Sequence, residues 1–170
     1  MAATQHRLIG LDPGLRRTGW GIVDCAGARL AYVADGVVET DEAKSLPERL
    51  VELQDGLALV LAHWMPDEAA VEETFVNRNP HSTLKLGMAR GVVLLAPARL
   101  GLPVAEYAPN RVKKAITGVG HADKTQVQAM IRHILPGVGT LKPDAADALA
   151  VAVCHAHFRG GPGLLERLSA

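Results

Sequence analysis

Leu8-Ile9-Gly10-Leu11-Asp12-Pro13-Gly14 constrains this chain more than any other stretch. An apolar run of that length reads as a short buried strand. It ends on a carboxylate and turns at once. Pro13 lacks the N–H that a ladder needs, and Gly14 admits the backbone angles of a tight turn. The product is an acid at the carboxyl end of a strand, where ligands bind in open α/β sheets. An Asp before Pro-Gly also serves as a plain turn cap, so the rest of the chain has to decide between the two roles.

Alternating residues from Thr18 to Val23 and from Arg29 to Glu39 predict two more strands, an antiparallel meander with the first. Leu46, Leu50, Leu53, Leu57, Val60, Leu61 and Trp64 recur every three or four residues, an amphipathic helix that Pro66 stops. Asp67 to Glu72 reads as a short strand. After a crossover helix it should lie parallel to an earlier strand, which would set Glu72 beside Asp12. A helix follows over Ser82 to Leu100, apolar nearly all round. Gly87 and Gly91 on it invite close approach by another helix, with a partner subunit or a fully buried helix as the two expectations. Pro103 to Tyr107 is a strand and Asn110 to Thr117 a basic helix. Asp123 and Gln126 have the spacing of a capping box for a helix ending near Leu135. Pro143 suits the first turn of a last helix, Asp144 to Phe158. The order β-β-β-α-β-α-β-α-α-α predicts an α/β fold. Residues 1–158 form one domain in this reading, and 159–170 a flexible C-terminal tail.

The chain's net charge is zero, but the charge is not evenly spread. Asp24 to Glu73 holds twelve acids against three bases, a net of −9. Thr74 to Lys142 holds ten bases against two acids, a net of +8, which points to a polyanionic partner. Aromatics are scarce, at 4%, so an exposed one stands out. Cys25 and Cys154 form no CxxC pattern, which argues against a zinc site or a disulfide framework. No signal layout or membrane-length apolar run is present, so a cytoplasmic protein is expected.

Four acids stand out. Asp12 and Glu72 end neighbouring strands, while Asp144 and Asp147 share one face of a helix start. Acids suit that position for electrostatic reasons alone. Asp147, however, leads into the apolar run Ala148 to Val153, where a buried acid needs a partner or a cation. Clustered carboxylates raise one another's pKa unless a cation lies between them. Oxygen donors without Cys or His select Mg²⁺ or Mn²⁺. Two such ions about 4 Å apart can activate water and stabilise the leaving oxygen in phosphodiester hydrolysis.

Nearly the whole chain resembles the RuvC-type Holliday junction resolvases. The resemblance is carried by Ile9-Gly10-Leu11-Asp12-Pro13-Gly14, Thr18-Gly19-Trp20-Gly21, Val71-Glu72-Glu73-Thr74-Phe75, Leu84-Lys85-Leu86-Gly87-Met88-Ala89-Arg90-Gly91 and Asp144-Ala145-Ala146-Asp147-Ala148-Leu149-Ala150. It implies a ribonuclease H-like mixed five-stranded sheet flanked by helices. It implies Asp12, Glu72, Asp144 and Asp147 as catalytic ligands of two metal ions, Mg²⁺ or Mn²⁺. It implies a homodimer that binds a four-way DNA junction and nicks two strands symmetrically, leaving 5′-phosphate and 3′-hydroxyl ends. A branch-migration motor of the RuvA and RuvB type is the implied further partner. Glu73 should point to the opposite strand face and has no catalytic role.

The same resemblance implies DNA contacts. Phe75 would stack on an unpaired base. Lys113 and Lys124 would meet phosphates near the acids. Lys85, Arg78, Arg90, Arg111 and Lys114 are backbone-contact candidates, with His81 and His121 more weakly supported. His63, His133, His155 and His157 are read as structural. Two rivals remain at this point. An Asp-x-Gly strand end also opens the sugar-kinase, actin and heat-shock ATPase folds, but those need a second lobe that 170 residues do not accommodate. A junction binder that does not cut would gain nothing from four acids facing DNA phosphates.

Overall fold

The computed structural model describes residues 4–74 and 79–159. Strands β1 (Gln5–Asp12), β2 (Arg17–Ala26) and β3 (Arg29–Glu39) precede α1 (Leu46–Trp64), β4 (Glu68–Glu72) and α2 (Pro80–Ala98). Strand β5 (Val104–Tyr107), α3 (Pro109–Thr117), α4 (Lys124–Ile134) and α5 (Pro143–Phe158) complete the described chain. The strands form one sheet in the order β3-β2-β1-β4-β5. Strand β1 runs antiparallel to β2 and parallel to β4. The sheet is therefore mixed, as the resemblance implies.

Strand alternation sorts the core into two layers. Ile9, Leu11, Ile22 and Val71 face one side and pack with Leu53, Leu57 and Leu61 of α1 and Val93 of α2. Leu8, Val23 and Ala70 face the other side and pack with α3, α4 and α5. Helix α5 is buried from Ala145 to His155 except at Asp147. Among the described residues no helix is long and apolar enough to cross a membrane.

Local chemistry sets the boundaries. Ser45 and Glu48 form a capping box at the start of α1, and Met65 closes the helix in the left-handed region. Helix α2 begins at Pro80, two residues earlier than expected, because the Asn79 side chain accepts from the His81 and Ser82 N–H groups. Asp123 and Gln126 form the expected capping box, and Pro143 starts α5.

Helix α2 is not fully buried. Ala89, Val93 and Ala96 face the core, while Leu84, Met88 and Leu95 are exposed. A Cβ built on Gly87 or Gly91 meets nothing within 4 Å. Among the described residues no helix takes up the close approach those glycines permit. Arg159, assigned from sequence to the tail, is held by the Glu68 carboxylate. Residues 160–170 lie outside the described residues.

Candidate active site

Parallel pairing places Leu11 opposite Val71, so Asp12 and Glu72 end β1 and β4 side by side. Both turn toward α5, because residues two apart share a strand face. The seat of α5 is made of glycine. A Cβ on Gly10 would lie 2.1 Å from the Ala148 carbonyl oxygen. On Gly19 it would lie 1.9 Å from the carbonyl oxygen of Asp144, and on Gly21 2.7 Å from Leu149. Only a bare backbone lets the helix settle this low on β1 and β2. The first turns of α5 then bring Asp144 and Asp147 over the end of β1. The loop after Asp12 is closed by buried Thr18, whose hydroxyl donates to the Gly14 carbonyl at 2.7 Å and accepts from its N–H at 3.2 Å.

Asp12, Glu72 and Asp147 line one cleft of about 270 Å³ together with Lys113 and Lys124. Val112, Val127, Ala150 and Pro109 form its apolar walls. Asp144 is not part of this lining, but its charge acts on both Asp12 and Lys124. The Asp12 carboxyl is pushed up to about 8, first by burial and then by the charges of Glu72, Asp147 and Asp144. Glu72 is pushed up to about 7 by burial and then by Asp147, against the pull of Lys124, Lys113 and a hydrogen bond with Asp12. Two carboxyl groups that share a hydrogen bond must share a proton. Lys124 Nζ donates to Asp147 Oδ2 at 2.9 Å.

The donor set fits a hard divalent cation. It is carboxylate oxygen, half-buried and under-compensated, and neither Cys nor His lines the cleft. In the described arrangement no three acidic, His or Cys side chains converge on one point. Asp12 and Glu72 hold each other, and Asp147 is held by Lys124. Ligation therefore requires these contacts to be exchanged for contacts to the ion.

The other candidates divide. Lys85 and Lys114 are exposed, and so are His81 and His121. The Arg111 guanidinium lies 4.2 Å from the Phe158 ring centroid and 5.5 Å from that of Tyr107, a packing role on α3. Arg90 pairs with Glu106 and so ties α2 to β5. Phe75 and Arg78 lie outside the described residues. His155 is structural, as expected from sequence: it is buried between Glu68 and Tyr107. The sequence reading missed Thr18 and Gly19 as positioning residues, although both stand in a quoted motif. Its Thr-Gly-x-Gly pattern on a strand was the available signal.

The family model of the crossover junction endodeoxyribonuclease RuvC matches residues 8–155. The RuvC protein of Paramagnetospirillum magneticum is 60% identical over 161 residues, 95% of this chain and 97% of its own length. That of Azorhizobium caulinodans is 62% identical over 161 residues, 95% of each chain. Among solved structures, Thermus thermophilus RuvC in complex with a Holliday junction substrate matches with a TM-score of 0.82 at 34% identity, covering 96% of each chain. The yeast mitochondrial Holliday junction resolvase Ydc2 shares the fold, with a TM-score of 0.66 at 15% identity over 95% of this chain and 81% of its own.

Proposed function

The chain belongs to the RuvC family of crossover junction endodeoxyribonucleases, metal-dependent Holliday junction resolvases of ribonuclease H-like fold, and we propose that Asp12, Glu72, Asp144 and Asp147 are its catalytic metal ligands. The observation that supports this most is the cleft itself: carboxylates from β1, β4 and α5 meet there with lysines at the rim, and those of Asp12 and Glu72 have raised proton affinity. Two ions, Mg²⁺ or Mn²⁺, would supply water activation and stabilisation of the leaving oxygen. The four acids would hold them. Lys113 and Lys124 offset the charge of the scissile phosphate. Water oxygen bonds to phosphorus and the P–O3′ bond breaks. The 3′ oxygen takes up a proton, which leaves 5′-phosphate and 3′-hydroxyl ends.

The substrate is a four-way DNA junction, the ligand of the Thermus thermophilus relative. Residues 1–158 form the nuclease domain in this reading, and Arg159 is tied back to it through Glu68. The exposed face of α2, with Leu84, Met88 and Leu95 beside open Gly87 and Gly91, supports a homodimer. Two-fold symmetry gives each active site an equivalent strand. Lys85, Lys113, Lys114 and Lys124 bind the DNA backbone. Phe75 and Arg78, which follow Glu72 in sequence, complete the surface in this reading, and Arg111 contributes through packing. A RuvA and RuvB type motor is the further partner, on cytoplasmic DNA.

End-labelled four-way junction and matched duplex, each with and without Mg²⁺ or Mn²⁺, test the proposal. Paired nicks at symmetric positions on the junction alone are expected. Junction binding without cutting under either metal would overturn it.

A further inference from the structure

Lys124 stands at the wrong end of a helix for a lysine. It is the first residue of α4, directly after the N-cap Asp123. A helix N-terminus carries partial positive charge and favours acids. The Asp123–Gln126 capping box fixes this terminus in place, so the position of Lys124 is set by the backbone. Its side chain then crosses to another element: Nζ sits 2.9 Å from Asp147 Oδ2, on α5. The two partners differ in exposure. The Lys124 side chain is 73% exposed and that of Asp147 22%. The acid is fixed in the cleft and the lysine reaches it from solvent on a flexible four-carbon stem.

An ammonium hydrogen-bonded to a carboxylate oxygen and a metal ion on that oxygen compete for the same lone pairs and repel each other. Lys113 lines the same cleft, but the bond to Asp147 belongs to Lys124. One lysine therefore adds only its field, while the other adds its field and a contact that must be given up. We propose that Lys124 is a removable counter-ion: it holds Asp147 until a divalent ion takes that oxygen, and the displaced ammonium then becomes available to the DNA phosphate entering the cleft. This rests on the metal-ligand reading of Asp147 and adds an exchange step to it. Lys124 thereby couples filling of the acid cluster to readiness for the substrate.

Mn²⁺ titrated calorimetrically into the full chain without DNA tests the exchange, using wild type, Lys124→Met, Lys113→Met and Asp12→Asn. Methionine keeps the apolar stem and removes the charge, and Lys124 is exposed, so folding should survive. Lys124→Met should bind Mn²⁺ roughly three- to tenfold tighter, the range expected when a competing, partly exposed ion pair is removed. Lys113→Met, which removes an equal charge without that contact, should change affinity less than about twofold by the same reasoning. Despite tighter metal binding, Lys124→Met should cut the junction more slowly. Unchanged or weaker Mn²⁺ binding by Lys124→Met overturns the exchange, and so does equal tightening by Lys113→Met. Cutting at wild-type rate by Lys124→Met overturns delivery to the phosphate. Failure of the underlying reading looks different: Asp12→Asn would then bind Mn²⁺ as wild type does.

Discussion

Strand β4 begins and ends with glutamate, and the two ends have opposite fates. Glu68 and Glu72 are four residues apart, so both turn to the α5 face. Glu68 meets His155 Nε2 at 2.9 Å and Arg159 Nε at 3.1 Å. Those partners, His155 first, hold its carboxyl down at about 2 although burial pushes the other way. Tyr107 meets the remaining nitrogen of His155 at 2.9 Å. At the other end Glu72 is surrounded by acids and lifted to about 7. One strand and one helix thus make two half-buried carboxylate sites. The first is complete within the protein and locks the C-terminal end of α5. The second sets Asp12, Glu72 and Asp147 against only Lys113 and Lys124, and is suited to receive further positive charge from outside. Burial alone does not separate structure from function here; the supply of counter-charge does.

The two ends of β4 should separate most sharply when each glutamate is exchanged for its amide. Glu72→Gln should lower junction cleavage by at least about 10³-fold with junction binding kept, because the proposed metal ligand is lost while the proposed basic DNA-contact residues stay. A gel-shift assay run beside the nicking assay checks this. Gly19→Ala comes next. Its methyl would collide with the Asp144 carbonyl, so α5 must lift. A misplacement of that size should cost about 10²-fold in cleavage. Single-turnover rates on a saturating junction would show it as a loss in the chemical step.

Glu68→Gln should do the reverse of Glu72→Gln. It leaves Arg159 and His155 without their carboxylate, so stability should fall by about 3 kcal/mol. That corresponds to a melting temperature lower by about 9 °C for a domain of this size. Cleavage per folded molecule should stay near wild type. Loss of cleavage without loss of stability would erase the distinction between the two ends.

The smallest effect is one of pH. Asp12 and Glu72 bind a proton more tightly when folded than their ordinary values near 4 allow when unfolded. Over that interval the native state carries more protons than the unfolded state, and stability falls as pH rises. In chelator, the melting temperature should therefore drop between about pH 5 and pH 8. Asp12→Asn should flatten that drop, and scanning calorimetry at both pH values measures it. A divalent ion should remove the same slope.

Much of this arrangement was legible in the sequence. The α1 periodicity, the Pro-Gly stop after Asp12 and the capping box at Asp123 are local signals, and each produced the element expected from it. The parallel pairing of β1 with β4 followed from the crossover rule. What stayed hidden depends on long-range contact. Nothing local distinguishes Glu68 from Glu72, because the difference lies in His155 and Arg159, which are distant in sequence. The glycine seat of α5 needed the helix in place before Gly19 acquired a meaning. Arg111 is a DNA-contact candidate through the family resemblance, and its stacking on Phe158, which comes from the end of α5, was not visible in the sequence. Helix α2 read as apolar all round, and only its packing separated the core face from the exposed Leu84 and Met88.

The Glu72 end of β4 is proposed as the metal-dependent cutting site, and the Glu68 end as a structural lock. The most direct test is one nicking experiment on an end-labelled four-way junction in Mg²⁺, with Glu72→Gln and Glu68→Gln side by side at equal folded concentration. Symmetric paired nicks are expected from Glu68→Gln and none from Glu72→Gln, with both proteins still bound to the junction. Cutting by Glu72→Gln at the wild-type rate would contradict it.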